Sequence, residues 1–161
     1  MTARVIAIFN QKGGVGKTLT AVNLAAALAR RGQKTLLLDL DPQGNATRHL
    51  LSRSPQRTIS HGLHGRTPLQ KIVLPTQEPN LHMIPSDIML SETALIREPK
   101  REYLLRERLG PLISSYDHIL IDCQPSLGLL PVMALAAATH VIVPVECQYL
   151  ALKGLKDLLE T

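Results

Sequence analysis

The residues with the most evident chemistry are Lys12-Gly13-Gly14-Val15-Gly16-Lys17-Thr18, which follow an apolar run, Val5 to Phe9, and open an Ala- and Leu-rich stretch from Lys17 to Arg31. A glycine-rich turn between a strand and a helix lets successive backbone N–H groups curl around phosphate oxygens. The helix N-terminus adds its positive dipole end at the same place. In that setting Lys17 reaches the β- and γ-phosphates of a nucleoside triphosphate, and the Thr18 hydroxyl is a ligand for Mg²⁺. The ordinary pattern G-x-x-x-x-G-K-[ST] places a glycine at position 11. Gln11 stands there instead, so the loop is a variant, and it carries a second lysine, Lys12.

Carboxylates are the second group. Asp39 and Asp41 follow the apolar run Thr35 to Leu38, and Asp122 directly follows His118 to Ile121. An acid just after an apolar strand sits where ligands bind in α/β proteins. For Asp39 and Asp41 a solvated turn capping the strand is the competing reading. Other reactive types promise less. Cys123 and Cys147 both follow apolar strands and read as small core or site-edge residues. His61 and His64 have no third ligand nearby with which to hold a metal. Met83, Met89 and Met133 read as core filler.

The elements that must position these groups follow from the apolar pattern. Strand-length runs occur at Val5 to Phe9, Thr35 to Leu38, Leu81 to Ile84, His118 to Ile121 and Val141 to Val145. The helical stretch from Lys17 stops at Gly32, and Arg101 to Ser114 places Leu104, Leu105, Leu109, Leu112 and Ile113 on one helical face. Leu127 to Ala138 is apolar nearly all round, as a helix buried against a sheet would be. Strands alternating with helices predict an α/β fold with a mostly parallel central sheet flanked by helices. The polar stretch from Ser52 to Pro79 reads as a loop-rich surface excursion.

The 161 residues suit one domain. A hydrophobic share of 45% with 19% charged residues excludes a disordered chain, and only 2% aromatics leave an aliphatic core and no base-stacking platform. Two cysteines are too few for a disulfide framework, and the N-terminus has no signal-peptide shape. A cytoplasmic protein is expected. Cys123 to Val145 lacks Asp, Glu, Lys and Arg, but Pro131, His140 and Pro144 interrupt it, so it reads as a buried helix and strand rather than a membrane span. Charge is uneven. Residues 1–80 carry 11 basic and 3 acidic side chains, whereas 81–161 carry 7 and 10. No acid occurs between Asp41 and Glu78, and Arg48, Arg53, Arg57, Arg66 and Lys71 fall in that gap. Such a stretch can meet phosphates or simply be a solvated surface.

The two-lysine loop resembles that of the deviant Walker ATPases of the ParA/MinD class. The resemblance extends to Asn10-Gln11, Asp39-Leu40-Asp41-Pro42-Gln43-Gly44-Asn45-Ala46-Thr47, Arg101 to Arg106, Ile121-Asp122-Cys123 and Val141 to Val145, all similar to the ParA/Soj partition branch. It implies a P-loop NTPase fold over residues 1–161, a single domain lacking the C-terminal part. It also implies ATP and Mg²⁺ as cofactors, held by Lys12, Gly13, Gly14, Val15, Gly16, Lys17, Thr18 and the residue at Leu19. By the same resemblance, Lys12 crosses to the nucleotide of a second subunit, Asp41 positions the attacking water and Asp39 supports the magnesium or the switch geometry. Asp122 holds Mg²⁺ through water, beside Thr18. Catalysis then rests on Lys12, Lys17 and Asp41, because phosphoryl transfer is accelerated chiefly by positioning and charge neutralisation. The implied partners are a second copy on ATP binding, a ParB-like stimulating protein and non-specific DNA, which would place the chain at the nucleoid. No membrane is implied.

Some positions depart from the family pattern. Leu19 replaces a second threonine whose side chain supports the α-phosphate, Gln124 replaces a proline, and Pro131 and Met133 replace polar residues. These bear on hydrolysis more than on binding. Relatives run to roughly 250 residues, and the part beyond 161 carries their last strands, adenine-recognising residues and much of the basic DNA surface. A fragment and a degenerate copy are both open readings. The function implied is slow ATP hydrolysis in DNA segregation. The alternatives are a nucleotide-dependent DNA-binding or regulatory module without useful hydrolysis, and a MinD-like positioning ATPase, which normally needs a C-terminal membrane helix.

Overall fold

The computed structural model describes residues 2–97 and 99–146. Cys147 lies outside them, and so does Ala151 to Leu159, whose sequence is amphipathic and reads as a helix. Six strands form one sheet: β1 (Arg4–Ile8), β2 (Thr35–Leu40), β3 (Leu74–Pro75), β4 (Leu81–Ile84), β5 (His118–Cys123) and β6 (His140–Ile142), in the order β3-β4-β2-β5-β1-β6. All neighbours are parallel except β3 and β4. The helices are α1 (Lys17–Arg30), α2 (Asn45–Leu50), α3 (Ile59–Leu63), α4 (Leu104–Leu109) and α5 (Leu129–Ala137).

Strand alternation sorts the sheet into two faces. Ile8, Leu37, Met83 and Leu120 face α1, whose Ala21, Ala25 and Ala29 recur every fourth residue and let the helix lie close to the strands. Val5, Ala7, Leu36, Leu38, Ile119 and Ile121 face the other way, against α3, α4 and α5. β2 and β5 are buried along their whole length, as central parallel strands covered on both sides must be. By the same period, Asp39 follows Leu37 and Asp122 follows Leu120 onto the α1 face. Gly32 closes α1 as the sequence suggests, its N–H donating to the Ala29 carbonyl at 2.9 Å.

Four expectations need correction. Ser52 to Pro79 is more than a surface excursion, because Ile59, Leu63, Leu69 and Ile72 lie in the core, carried by α3 and a 3₁₀ turn over Leu69–Lys71. Arg101 to Ser114 is not one helix: a 3₁₀ turn at Arg101–Tyr103 leads into α4, and a second at Gly110–Leu112 follows it. Pro111 lacks an N–H and would clash with the carbonyl one turn back, which ends the α-helical ladder. β6 stops at Ile142, short of Val145. Met89 is exposed, while Met83 and Met133 are core residues as expected. The apolar segment after Cys123 resolves into α5 and β6, with Pro131 in the first turn of α5, where its missing N–H is harmless. Among the described residues no helix is long and apolar enough to cross a membrane.

α3 packs through a glycine. A Cβ on Gly62 would run into the side chain of Leu69, which is itself buried, and stand 3.3 Å from Ile72 Cδ1. Gly62→Ala should therefore destabilise the fold by about 1–3 kcal/mol through overpacking. Urea unfolding with an unchanged midpoint would show that this segment packs loosely.

Candidate functional site

The site lies at the C-terminal ends of β1, β5 and β2, three adjacent strands of the sheet. The loop leaving β1 turns on Gly14 and Gly16, whose φ angles of +77° and +84° are left-handed and suit glycine. A Cβ on Gly13, Gly14 or Gly16 would meet nothing within 4 Å, so the loop presents open backbone. Gly16 is the N-cap of α1, with no side chain capping the helix and no acid in its first turn. The first N–H groups of α1 are therefore without a side-chain acceptor and suit an anion.

Beneath the loop, Lys17, Asp39, Asp41 and Asp122 are all buried. Lys17 Nζ donates to the Lys12 carbonyl at 2.8 Å, which folds the loop over its own lysine. Burial lowers the Lys17 pKa, and Asp122 and Asp41 oppose the shift. Asp39 and Asp122 lie opposite each other on β2 and β5. Their carboxylates are satisfied very differently. Asp39 Oδ2 accepts from the Thr47 N–H at 2.8 Å and the Thr47 hydroxyl at 2.7 Å, and Oδ1 accepts from the Asp41 N–H at 3.2 Å. Asp122 has both oxygens buried without a hydrogen-bond partner.

Burial pushes Asp122 up to about 7, with Asp39 and Asp41 adding to the shift and Lys17 opposing it. The Thr18 hydroxyl stands near enough to temper the shift but is not placed for a full hydrogen bond. Burial also raises Asp39, and its bonds to Thr47 offset this. Two buried carboxylates, Asp41 and Asp122, thus face one buried ammonium, Asp39 acts on both of them, and Asp122 has orphaned oxygens. That donor set fits a divalent cation. No three His, Cys, Asp or Glu side chains among the described residues converge into a metal cage. Mg²⁺ does not need one, because it keeps waters and takes phosphate oxygens alongside one or two protein ligands.

The structure brings Lys17, Thr18, Asp39, Asp41 and Asp122 together with Gly13, Gly14, Val15 and Gly16. Lys12 stands at the exposed rim of the loop. Leu19 is 62% exposed in the first turn of α1 and brings no polar group there. Asp41 combines both sequence readings: its Oδ1 accepts the Gln43 N–H at 2.9 Å, a local turn, yet the residue is buried. Cys123 is buried and its thiol is pushed up by that burial, so it is an inert core group. His61 serves α3, its Nδ1 lying 3.3 Å from the Thr58 N–H in a capping box.

Sequence reasoning missed two supports. The Thr47 hydroxyl also accepts the Ser86 N–H at 2.9 Å, and the Ser86 hydroxyl donates to the Asp41 carbonyl at 2.7 Å. A bracket from the end of β4 therefore fixes the turn after β2. The polar Ser86 just beyond the apolar run Leu81 to Ile84 was the available signal.

A glycine loop between β1 and α1, with a lysine and strand-end acids beneath it, defines a P-loop NTPase fold. The sequence model of a family described as "AAA domain" matches residues 3–161. The chain belongs to this family, on its ParA/Soj-type branch of deviant Walker proteins. It is 48% identical over 162 residues to the chromosome partitioning protein ParA of Myxococcus xanthus, covering 98% of this chain and 57% of that one. Among solved structures, cobyrinic acid a,c-diamide synthase from Mycobacterium smegmatis with bound ADP and magnesium superposes with a TM-score of 0.91 at 38% identity, over 98% of this chain and 66% of that one. A putative plasmid partition protein of Borrelia burgdorferi bound to AMPPNP gives 0.90 at 30% identity, over 99% and 69%. The chain thus spans about six tenths of the length of the Myxococcus relative.

The Asp122 shift makes a stability prediction. Its folded-state pKa, about 7, exceeds the ordinary 3.8, so between these values the folded chain keeps a proton that the unfolded chain has released. Stability of the metal-free protein should fall as pH rises through that window. Asp122→Asn should flatten the profile and be more stable than wild type at pH 8, by on the order of 1–4 kcal/mol. Parallel profiles from thermal melts in chelator would reject this.

Proposed function

We propose that this chain binds Mg·ATP in the glycine loop, pairs with a second copy around the nucleotide, and hydrolyses it slowly as a partition ATPase in DNA segregation. A ParB-like protein would stimulate turnover, and the setting would be the cytoplasm, at the nucleoid. The observation that carries the reading is the open glycine loop above Lys17 and three buried carboxylates. Solved relatives that hold ADP with magnesium, or AMPPNP, support it.

In this reading the N–H groups of Gly13 to Thr18 cradle the phosphates, and Lys17 exchanges the Lys12 carbonyl for the β- and γ-phosphate oxygens. Thr18 and Asp122 hold the magnesium, Asp122 through water. Magnesium, when bound, neutralises charge on the phosphate oxygens and supplies the cation that the buried carboxylates lack. Asp39 spends its oxygens on Thr47 and the Asp41 N–H, and so fixes the turn that presents Asp41. Asp41 orients the attacking water. Lys12 reaches across to the nucleotide of the second copy, because Lys17 already serves the phosphates of its own. Dimer stability then depends on the bound nucleotide, and hydrolysis favours separation.

A second reading, a nucleotide-dependent DNA-binding or regulatory module without useful hydrolysis, draws support from the apolar Leu19 in the first turn of α1. Turnover with and without DNA separates the two. Titration calorimetry tests the shared core. Lys17→Ala should abolish Mg·ATP binding, whereas Asp41→Ala should bind normally and lose turnover by about 10²-fold or more. In sedimentation with Mg·ATP, Asp41→Ala should be a dimer and Lys12→Ala, Asp41→Ala a monomer. Equal affinity of wild type and Lys17→Ala removes the phosphate-site reading.

DNA contact is assigned to the acid-free stretch. Arg48, Arg53, Arg57, Arg66 and Lys71 are all exposed, and Arg53, Arg57 and Lys71 line a cleft of about 540 Å³ away from the glycine loop. Affinity for non-specific duplex should fall steeply from 50 to 200 mM salt, as counterion release requires. A salt-independent binding constant would exclude this surface as a phosphate contact.

A further inference from the structure

Lys12 has a partner within its own chain. Its Nζ donates to Glu146 Oε2 at 2.6 Å, across 134 positions of sequence. This ion pair is the outermost of three ties between the start of the glycine loop and the segment that leaves β6. The Phe9 N–H donates to the Ile142 carbonyl at 3.0 Å, and the Asn10 side-chain amide donates to the Pro144 carbonyl at 2.8 Å. Asn10 Oδ1 in turn accepts the Lys12 N–H at 2.9 Å. Asn10 therefore clamps the Lys12 backbone to the 142–146 segment, and Glu146 holds its ammonium.

We propose that Glu146 is a positioning residue for Lys12: its carboxylate keeps the second lysine of the loop within its own subunit and competes for it with the phosphates of a second subunit's nucleotide. This deepens the proposed function and rests on the cross-subunit role of Lys12. Insertion of Lys12 is then an exchange of one anionic partner for another. Magnitudes favour that exchange. The Lys12 and Glu146 side chains are 52% and 35% exposed, and exposed pairs of this kind hold weakly enough to be displaced. A triphosphate that carries more charge, in a site screened from water by the second subunit, is the stronger acceptor. A diphosphate offers no γ-phosphate, and Lys12 returns to Glu146. The pair thus sets a threshold that favours the triphosphate-bound dimer.

The test is a double-mutant cycle by sedimentation equilibrium on the full chain, in Mg·AMPPNP and in Mg·ADP. Wild type, Glu146→Gln, Lys12→Ala and the double variant are compared, with calorimetry to establish that each binds nucleotide. Glu146→Gln keeps the size and polarity of the side chain and removes its charge. It should tighten the AMPPNP dimer by about two- to fivefold, the range expected of an exposed ion pair. The gain should shrink at high salt and vanish in the Lys12→Ala background, and Glu146→Asp should resemble wild type. An unchanged or weaker dimer in Glu146→Gln, or a gain that persists without Lys12, overturns the proposal. Dimerisation of Lys12→Ala equal to wild type would instead reject the cross-subunit reading on which it rests.

Discussion

Two carboxylates lie opposite each other at the ends of adjacent, fully buried strands, and most of the described site can be understood as a response to that charge. Asp39 and Asp122 share the α1 face of the sheet, Asp41 follows two residues on, and the one buried ammonium nearby is Lys17. Burying like charges together is costly unless each gains partners or a proton. The structure resolves the conflict unequally. Asp39 is saturated by Thr47 and the turn of its own backbone, whereas Asp122 keeps bare oxygens and a pKa raised to about 7. A site built this way is poorly stabilised without a cation. On the proposed function, a metal-bound nucleotide would bring its cation to these unpartnered oxygens.

That division of labour also explains why the turn after β2 is so firmly held. On the proposed function Asp41 would have to stand in one place relative to the glycine loop, yet it lies on the exit of a strand. Asp39 fixes its N–H, Ser86 fixes its carbonyl, and Thr47 joins Asp39 to Ser86. Three segments, the ends of β2 and β4 and the start of α2, are therefore tied together by hydrogen bonds. Rigid support of this kind is what positions a group whose effect depends on ångström-scale placement.

The architecture was legible in the sequence to the extent that apolar periodicity carried it. The runs at Thr35 and His118 marked strands, which the structure places at the centre of the sheet, but each continues two residues further, through Asp39-Leu40 and Asp122-Cys123. A count of apolar residues stops at a buried acid, so the feature that makes the site also hid the strand ends. The glycine loop and Lys17 were visible because their chemistry is encoded in short spacing, and the three acids because they follow apolar runs. Thr47, Ser86 and Glu146 were not, since each acts on a residue 8 to 134 positions away through tertiary packing. The core role of Ile59, Leu63, Leu69 and Ile72 was masked by their polar surroundings and by elements too short to show a helical period.

Strand order links the site to the completeness of the sheet. β1, which launches the glycine loop, is flanked by β5 and β6, the two strands that come last in sequence among the described residues. The loop therefore cannot acquire its neighbours until chain more than a hundred residues downstream has folded back: Asp122 arrives with β5, and the ties from Ile142, Pro144 and Glu146 arrive with β6. Such non-local pairing is slow to form and local in its failure. Among the described residues β6 pairs on one side only, with β1, and its residues are exposed or half-buried. On the proposed function, a nucleotide bound across β1, β5 and the loop would stabilise the folded state by linkage, at the same strand ends that carry the buried acids.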